Sequence, residues 1–356
     1  MTRVVRIDPQ RPDLERLREA AAVLRDGGLV AFPTETVYGL GAHALNATAV
    51  ARIFEAKGRP AIDPLIVHLA SVDQLEAVAH AVPHVARELA AAFWPGALTL
   101  ILEKHSIVPE AVTAGLRTVG VRVPSHPIAH ELIAMAAVPV AAPSANRFSR
   151  PSPTCVEHVL ADLDGVVDVV IDGGPTPIGL ESTILDLTVA PPLVRRPGGV
   201  SLAEIRRIVP DAQSGSALAD RDRAQPSPGQ LLRHYAPRAT LTLYIGAVAM
   251  VTERMANDIR RAVASGVRVG VLAPEEDLLA LAPRLAAVGA GGRVVTMRCG
   301  TRRDRDEAAR DLFRTLRALD AEGVDVMFAS APAGEGIDAA IIDRLTRAAE
   351  GRVVHT

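Results

Sequence analysis

The sequence predicts an α/β protein, with an N-terminal domain built on a twisted mixed sheet and a small doubly wound, Rossmann-like C-terminal domain. Three observations favour this fold class. In residues 1–209, strand-like runs outnumber helix-like ones and several follow one another directly. In residues 240–356, strands and helices alternate strictly, which is typical of a parallel sheet with helices on both faces. A chain of 356 residues also has the length of two ordinary domains.

The helices of the first domain are indicated by apolar residues at helical spacing. They are predicted in "DLERLREAAAVLRD", "NATAVARIFEAKG", "VDQLEAVAHAV", "HVARELAAAFW" and "IAHELIAMAA". Asn46 is a suitable N-cap for the second of these helices, and Gly58 follows its end.

The strands of the first domain are indicated by short apolar runs. They are predicted in "LVAF", "PLIVHLA", "ALTLILEK", "TVGVRVP", "VPVAAPSAN", "VVDVVIDGG", "STILDLT" and "PLVRRPG". The first run contains no polar residue, which is typical of a strand covered on both faces. Pro33 ends it, and Gly39 and Gly41 are expected to let the chain turn.

The composition changes near residue 210. Residues 210–239 are rich in Ser, Asp, Gln, Pro and Gly without a period, so we interpret them as a linker, which closes with "SPGQLLRHYAPRA". The second domain, residues 240–356, is predicted to contain strands in "TLTLYIG", "VRVGVLA", "GRVVTMR" and "VDVMFASAP". Its helices are predicted in "AMVTERMANDIRRAVASG", "EDLLALAPRLAAVG", "RDEAARDLFRTLRALDAEG" and "IDAAIIDRLTRAAEG".

Composition excludes several classes of protein. Lys and Arg total 39 against 41 for Asp and Glu, and aromatic residues make up 3%, which disfavours a protein that mainly grips nucleic acid. Cys155 and Cys299 lie far apart, outside any CxxC or Cys/His cluster, so neither a disulfide framework nor a zinc site is expected. No apolar run has the length of a membrane span, and the N-terminus lacks the apolar core of a signal peptide. We therefore expect a cytoplasmic protein without membrane contact.

Polar and basic residues gather where strands and helices of the first domain end. Three hydroxyls and a carboxylate follow the first strand in "PTETVY", where local Ser/Thr turn bonding is the plainer interpretation. Lys57 and Arg59 follow a helix, although Lys57 would also complement the helix dipole there. Arg122 ends one strand, and Arg195 and Arg196 end another. These basic residues, at three separated segment ends, together indicate one pocket for an anion, assembled from distant segments.

Hydroxyls also cluster in "APSANRFSRPSPT" and "GLESTILD". There is no GxSxG elbow, so hydrogen bonding to a ligand or turn chemistry explains these serines better than a nucleophile does. His68 lies in the apolar run "LIVHL", where a satisfied core histidine is the alternative to a functional one.

Seven of these stretches, in order and spacing, match a known family. They are "FPTETVYGLG", "KGRPAIDPLIVH", "FWPGALTLIL", "VGVRVPSHP", "APSAN", "GLESTILD" and "RRPGG". With them the first domain closely resembles the YrdC-type threonylcarbamoyl-AMP synthases. The segment "SPGQLLRHYAP" resembles the linker motif of the long, two-domain form, and residues 240–356 resemble its C-terminal domain.

The resemblance implies a nucleotidyltransferase that condenses L-threonine, bicarbonate and ATP, with Mg²⁺, to threonylcarbamoyl-AMP and pyrophosphate. A tRNA threonylcarbamoyl-transferase complex would then use the product to modify the adenosine next to the anticodon of tRNA. No stable nucleic-acid binding by this chain itself is implied. The attack at phosphorus requires positioning and charge neutralisation more than a protein nucleophile.

The same resemblance assigns roles to individual residues. As catalytic residues it indicates Lys57, Arg59 and Arg122. Around L-threonine it indicates Thr36, His68, Arg122, the backbone at Ala142, and Ser182. Around ATP it indicates Lys57, Arg59, Asp63, Thr118, Ser144, Asn146, Ser152 and Arg196, with His234 and Tyr235 of the linker folding over as a lid. Metal ligands are not identified.

One position departs from the family pattern, and the sequence disfavours two other functions. Family members commonly carry Asn where this chain has Asp63, and a carboxylate there would repel nucleotide phosphates unless it binds the metal or points away. A hydrogenase-maturation carbamoyltransferase would need zinc-binding Cys clusters that the sequence lacks. The other alternative is an RNA-binding module without a catalytic role, which near-neutral charge and scarce aromatics disfavour.

Overall fold

The computed structural model describes residues 1–215, 224–286 and 292–356, which divide into two compact units. The first unit comprises Met1–Phe148 and Ser152–Leu231, and the second comprises Ser149–Pro151 and Leu232–Thr356. Residues 216–223 of the predicted linker and the end of the helix predicted in "EDLLALAPRLAAVG" lie outside the described residues.

In the first unit, a mixed sheet joins the described strands in the order β1-β8-β2-β3-β7-β4-β6-β5-β9-β10-β11. The strands are β1 (Arg3–Arg6), β2 (Val30–Pro33), β3 (Tyr38–His43), β4 (Ile66–His68), β5 (Leu98–Glu103), β6 (Thr118–Arg122), β7 (Val140–Ala141), β8 (Val169–Asp172), β9 (Thr183–Asp186), β10 (Leu193–Arg196) and β11 (Gln213–Ser214). Pairings of both directions occur, so the prediction of a large mixed sheet is confirmed.

The helices of the first unit surround this sheet. They are α1 (Leu14–Arg25), α2 (Ala47–Lys57), α3 (His84–Phe93), α4 (Glu110–Thr113), α5 (Pro127–Ala136), α6 (Val156–Leu163) and α7 (Leu202–Ile205), with a 3₁₀ helix at Val72–Ala77. The helix predicted in "VDQLEAVAHAV" is only this 3₁₀ turn, because Ala79 leaves it to form a bridge with Lys104 beside the sheet.

Strand β2 is apolar at successive positions because both of its faces are buried. Val30 and Phe32 pack into a core shared with α1 and α5, whereas Leu29 and Ala31 face a second core on the other side of the sheet. A strand buried on both faces excludes water from its whole length, so the polar turn that follows begins in the protein interior.

The chain turns after β2 before it reaches Gly39 and Gly41, where the turn was expected. Strands β2 and β3 form an antiparallel hairpin in which Pro33 faces Tyr38, and the hydroxyl of Thr34 donates to the carbonyl of Val37 at 2.6 Å. Gly41 lies inside β3, where a Cβ atom would come within 2.7 Å of the Phe32 ring. The expected turn at the glycines was therefore wrong, because Gly41 is required for close packing inside the strand.

Helix α2 is bounded as predicted. The side chain of Asn46 accepts hydrogen bonds from the backbone N–H groups of Thr48 and Ala49, and Gly58 adopts a left-handed conformation with φ of 61°. The helix therefore ends abruptly, and its last residue, Lys57, is buried.

In the second unit, the described strands form a parallel sheet in the order β14-β13-β15-β12-β16. These strands are β12 (Thr240–Ile245), β13 (Val269–Ala273), β14 (Val294–Arg298), β15 (Val326–Ala331) and β16 (Val353–His355). They alternate with α8 (Val248–Ala264), α9 (Glu275–Ala286), α10 (Arg305–Ala321) and α11 (Ile337–Ala348). The predicted doubly wound parallel fold is confirmed, and β16 is an additional edge strand that the sequence reasoning did not identify.

Candidate functional site

The polar turn between β2 and β3 is folded inward. Thr34, Glu35 and Thr36 are all buried, although they belong to a turn. The Thr34 and Thr36 hydroxyls are 2.7 Å apart and share a hydrogen bond, and the Thr34 oxygen also accepts from the backbone N–H of Thr36 at 3.2 Å. Local Thr bonding is thus present, as the plainer interpretation held, but it leaves the Glu35 carboxylate to be paired elsewhere.

That partner is Arg122, at the end of β6. Its Nη2 lies 3.2 Å from Glu35 Oε2, and its Nη1 donates to the Thr36 hydroxyl at 3.1 Å. The backbone N–H of Ser125 also donates to Glu35 Oε2. Burial lowers the pKa of Arg122 from its ordinary value, and the neighbouring Glu35 carboxylate opposes that shift, so the guanidinium keeps its charge. The turn and the strand end therefore form one buried ion pair.

This ion pair keeps hydrogen-bonding capacity for a ligand. Within the part of the chain that the structure describes, neither Arg122 Nε nor Glu35 Oε1 has a hydrogen-bond partner, and both atoms are buried. A guanidinium donor beside a carboxylate acceptor can bind the two charged ends of an amino acid.

His68 lies on β4, opposite Arg122 of β6 in the parallel register. Burial, followed by the charge of Arg122, lowers the pKa of His68 to about 3. Its Nδ1 is 3.2 Å from the carbonyl oxygen of Ile66. His68 is therefore a neutral imidazole beside the guanidinium, and it can exchange a hydrogen bond with a ligand but does not supply positive charge.

Lys57 is enclosed by the loop that follows β7. Its Nζ donates to the carbonyl of Ser144 at 2.5 Å and to the carbonyl of Asn146. The backbone N–H of Phe148 donates to the carbonyl of Lys57 at 2.8 Å. The "APSAN" segment and the end of α2 are thus held together, as a common pocket requires.

Arg59 forms a second buried ion pair. Its Nη2 lies 3.0 Å from Asp63 Oδ2 and donates to the carbonyl of Pro64 at 2.7 Å, while its Nε donates to the carbonyl of Asp63 at 3.0 Å. The Asp63 side chain has no solvent exposure. Burial raises the pKa of Asp63 from its ordinary value, against the opposing charges of Arg59, Lys57 and Arg196. Asp63 thus points toward the basic residues rather than away from them.

Ser182, which precedes β9, contacts Arg196, the last residue of β10. Arg196 donates through Nε to the Ser182 carbonyl at 3.1 Å and through Nη2 to the Ser182 hydroxyl at 3.2 Å. The Thr99 and Ser182 hydroxyls share a hydrogen bond of 2.8 Å. Gly198 allows this arrangement, because a Cβ there would lie 2.3 Å from the Glu181 carbonyl oxygen.

Three further predicted residues, Ser152, Ala142 and Thr118, have other surroundings in the first unit. Ser152 donates to a carboxylate oxygen of Glu181 at 2.5 Å, and both side chains are buried. The backbone N–H of Ala142 is used inside the sheet, where it donates to Ile66. Thr118 is half-buried at the first position of β6.

His234 and Tyr235 belong to the second unit. Their rings are 4.0 Å apart, edge to face. Tyr235 is buried, its ring centroid lies 5.3 Å from that of Phe313, and the guanidinium of Arg344 lies over its ring. The predicted lid role of these two residues stays a prediction.

Sequence reasoning noted two carboxylates but did not assign them to the site. Glu35 and Glu181 stand in the motifs "PTETVYG" and "GLESTILD", and each holds a residue that was identified. Their signal in the sequence was a charged residue at the edge of an otherwise apolar strand. Glu35 is paired there with the buried Arg122, and Glu181 accepts a hydrogen bond from the buried Ser152 hydroxyl.

The described residues were compared with the requirements of a metal-binding side-chain cluster and of a membrane-spanning helix. Across 1–215, 224–286 and 292–356, no group of three or more His, Cys, Asp or Glu side chains is arranged to hold a metal ion. In the same ranges, no helix is both long enough and apolar enough to cross a bilayer.

Comparison with known proteins places the chain. The family model described as "Telomere recombination" matches residues 22–198, and that described as "Threonylcarbamoyl-AMP synthase, C-terminal domain" matches residues 200–350. The threonylcarbamoyl-AMP synthases of Pyrococcus abyssi and Bacillus subtilis are each 43% identical to it, over 95% and 98% of this chain and 95% of each relative. The crystal structure of P. abyssi Sua5 complexed with L-threonine superimposes with a TM-score of 0.90, at 41% identity and full coverage of both chains. The chain therefore belongs to the threonylcarbamoyl-AMP synthase family, in its two-domain form.

Proposed function

We propose that this protein is an L-threonylcarbamoyladenylate synthase, which condenses L-threonine, bicarbonate and ATP. The observation that carries the proposal is the buried Arg122, held between Glu35 and Thr36 in the same unit as the buried cations Lys57 and Arg59. One guanidinium for a carboxylate and a group of cations for phosphates suit an amino acid and a nucleotide triphosphate. The P. abyssi relative in complex with L-threonine supports the choice of amino acid.

At the amino-acid end, Arg122 binds the threonine carboxylate. Thr36, His68, Ser182 and the backbone at Ala142 surround the rest of the substrate. Because His68 is neutral, it orients threonine by hydrogen bonding without competing with Arg122 for the carboxylate. The threonine amine and bicarbonate form a carbamate with loss of water. A carbamate oxygen then attacks the α-phosphorus of ATP, and pyrophosphate leaves with the electron pair of the broken P–O bond.

At the nucleotide end, basic side chains neutralise the triphosphate and hydroxyls position the nucleotide. Lys57, Arg59 and Arg196 would supply the positive charge, and the nucleotide set is completed by Asp63, Thr118, Ser144, Asn146 and Ser152. Lys57, Arg59 and Arg122 form the catalytic group. Such a site lowers the barrier chiefly by alignment and charge stabilisation, because the carbamate is itself the nucleophile.

Magnesium fits this site as an ion carried by the triphosphate. Mg²⁺ commonly binds through substrate phosphates and waters with few protein ligands, which agrees with the absence of a three-residue acidic or His/Cys cluster among the described residues. When bound, it would share the neutralisation of the phosphate charge with Lys57 and Arg59.

The linker, which we place at residues 210–239 between domains 1–209 and 240–356, would protect the product. His234 and Tyr235 would act as a lid that excludes water from the labile adenylate. A tRNA threonylcarbamoyl-transferase complex in the cytoplasm would then accept the threonylcarbamoyl group. The alternative of a non-catalytic RNA-binding module is not favoured, since the relatives named above are synthases.

Pyrophosphate release from ATP tests the proposal, with threonine and bicarbonate left out in turn. We expect release only when both are present, and suppression of it by Lys57→Ala and by Arg122→Ala. Arg52→Ala is the matched control, because Arg52 pairs with Asp168 at the surface and is not among the site residues. Release that ignores threonine, or a folded wild-type protein that releases none, would contradict the proposal.

A further inference from the structure

Asp63 is a carboxylate set among cations. Its side chain has no solvent exposure, and Arg59, Lys57 and Arg196 all act on it electrostatically. The backbone N–H of Gly229 also favours the charged form of Asp63. The charge of the Asp63 carboxylate is thus opposite to that of the cations that we assign to the triphosphate.

The Asp63 carboxylate is not the sole group that positions Arg59. Arg59 also donates to the carbonyls of Asp63 and Pro64, and these two backbone bonds fix the guanidinium plane. The Asp63 carboxylate adds an ion-pair contact with Nη2, at 3.0 Å from Oδ2, and one negative charge. Replacing the carboxylate by an amide would therefore remove the charge and leave the backbone bonds of Arg59 intact.

We propose that Asp63 is an internal competitor of the nucleotide, whose carboxylate partly neutralises Arg59 and so weakens the binding of the ATP triphosphate. This inference rests on the proposed function, because it takes Arg59 as a phosphate ligand. A bound triphosphate and the Asp63 carboxylate repel each other inside a site shielded from solvent, where charges interact strongly. Binding the nucleotide then favours protonation of Asp63, because a nearby like charge stabilises the neutral acid.

The variant Asp63→Asn tests this inference, because it should change the KM for ATP and not the KM for threonine. We expect the KM for ATP to fall by on the order of tenfold, the effect of one charge interaction near the phosphates, with the KM for threonine unchanged. Asp186→Asn is the matched control, since Asp186 is an equally buried carboxylate paired with Arg195 outside the proposed site. That control should leave the KM for ATP unchanged.

A binding measurement makes the test independent of turnover. Inorganic tripolyphosphate, titrated calorimetrically in two buffers of different ionisation enthalpy, reports affinity and proton exchange together. We expect tighter binding by Asp63→Asn than by wild type, and a proton uptake in wild type that the variant lacks. Asp63→Ser, also neutral, provides the same comparison if the Asn variant does not fold.

The outcomes separate this inference from the proposed function. If the neutral variants bind tripolyphosphate no more tightly than wild type, Asp63 is not a competitor and the inference is wrong. If they bind it more tightly while wild type shows no threonine-dependent pyrophosphate release, the inference holds and the proposed reaction fails.

Discussion

Replacing Arg122 by Lys should weaken threonine binding while leaving the nucleotide end intact. The substitution keeps the positive charge but loses the planar fork that donates to Thr36 and Glu35 from two nitrogens. A lysine ammonium is a point donor, so it cannot pair with Glu35, with Thr36 and with a substrate carboxylate in the same geometry.

The magnitude follows from the bonds lost. A hydrogen bond to a charged group contributes about 1.5–3 kcal/mol, so one lost bond to the threonine carboxylate raises the KM for threonine by about 10- to 150-fold. Glu35 remains partly compensated, because the backbone N–H of Ser125 still donates to Oε2. The fold should therefore survive the change, with a loss of stability of about 1–3 kcal/mol from the weakened buried pair.

Steady-state pyrophosphate release at varied threonine and at varied ATP separates the two ends of the site. Arg195→Lys serves as the control, because Arg195 makes a similar two-nitrogen contact with Asp186 but is not among the site residues. If Arg122→Lys raises the KM for ATP as much as the KM for threonine, Arg122 does not mark the amino-acid end and the assignment is wrong.

Three further outcomes are expected. Gly198→Ala should destabilise the protein by about 1–3 kcal/mol in denaturant unfolding and raise both KM values, because the new Cβ would meet backbone on both sides of Ser182, 2.3 Å from the Glu181 carbonyl oxygen and 2.4 Å from the Thr183 nitrogen. His68 has a pKa of about 3 in the folded protein, below the ordinary value of 6.5, so the unfolded chain binds the extra proton. Stability should therefore fall as pH decreases from about 6.5 toward 3, by up to about 1.4 kcal/mol per pH unit, and His68→Gln should remove that component of the slope. Cys299 is buried and burial raises the pKa of its thiol to about 12, so it should resist a thiol reagent at pH 8 until denaturant is added; rapid labelling of the native protein at Cys299 would contradict this.

Local sequence patterns predicted those elements whose signals are local. The cap at Asn46 and the stop at Gly58 involve neighbouring backbone groups, so the limits of α2 could be predicted. The double-sided burial of β2 is visible in its uninterrupted apolar run. The function of Gly41 could not be predicted in this way, because its reason is the Phe32 ring on the neighbouring strand.

The same distinction applies to the site. The identified residues were found as a set of motifs, whereas the pairing of Glu35 with Arg122 joins positions 87 residues apart and that of Ser152 with Glu181 joins positions 29 apart. A sequence shows that a carboxylate stands at a strand end, but its partner is fixed only when the sheet order brings the two segments together.

These pairings also explain why a pocket for anions contains carboxylates. Burying an arginine without a counter-ion would cost several kcal/mol of folding free energy. Each cation that binds an anionic substrate therefore needs an internal partner while the substrate is absent. Glu35 serves Arg122 in this way, and Asp63 serves Arg59. Substrate binding then replaces or supplements an internal ion pair. The net free energy of binding depends on how tightly the internal carboxylate is held. Glu35 also accepts from the Ser125 backbone, whereas the Asp63 carboxylate lies among three cations, so the two ends of the site should respond differently when their carboxylates are neutralised.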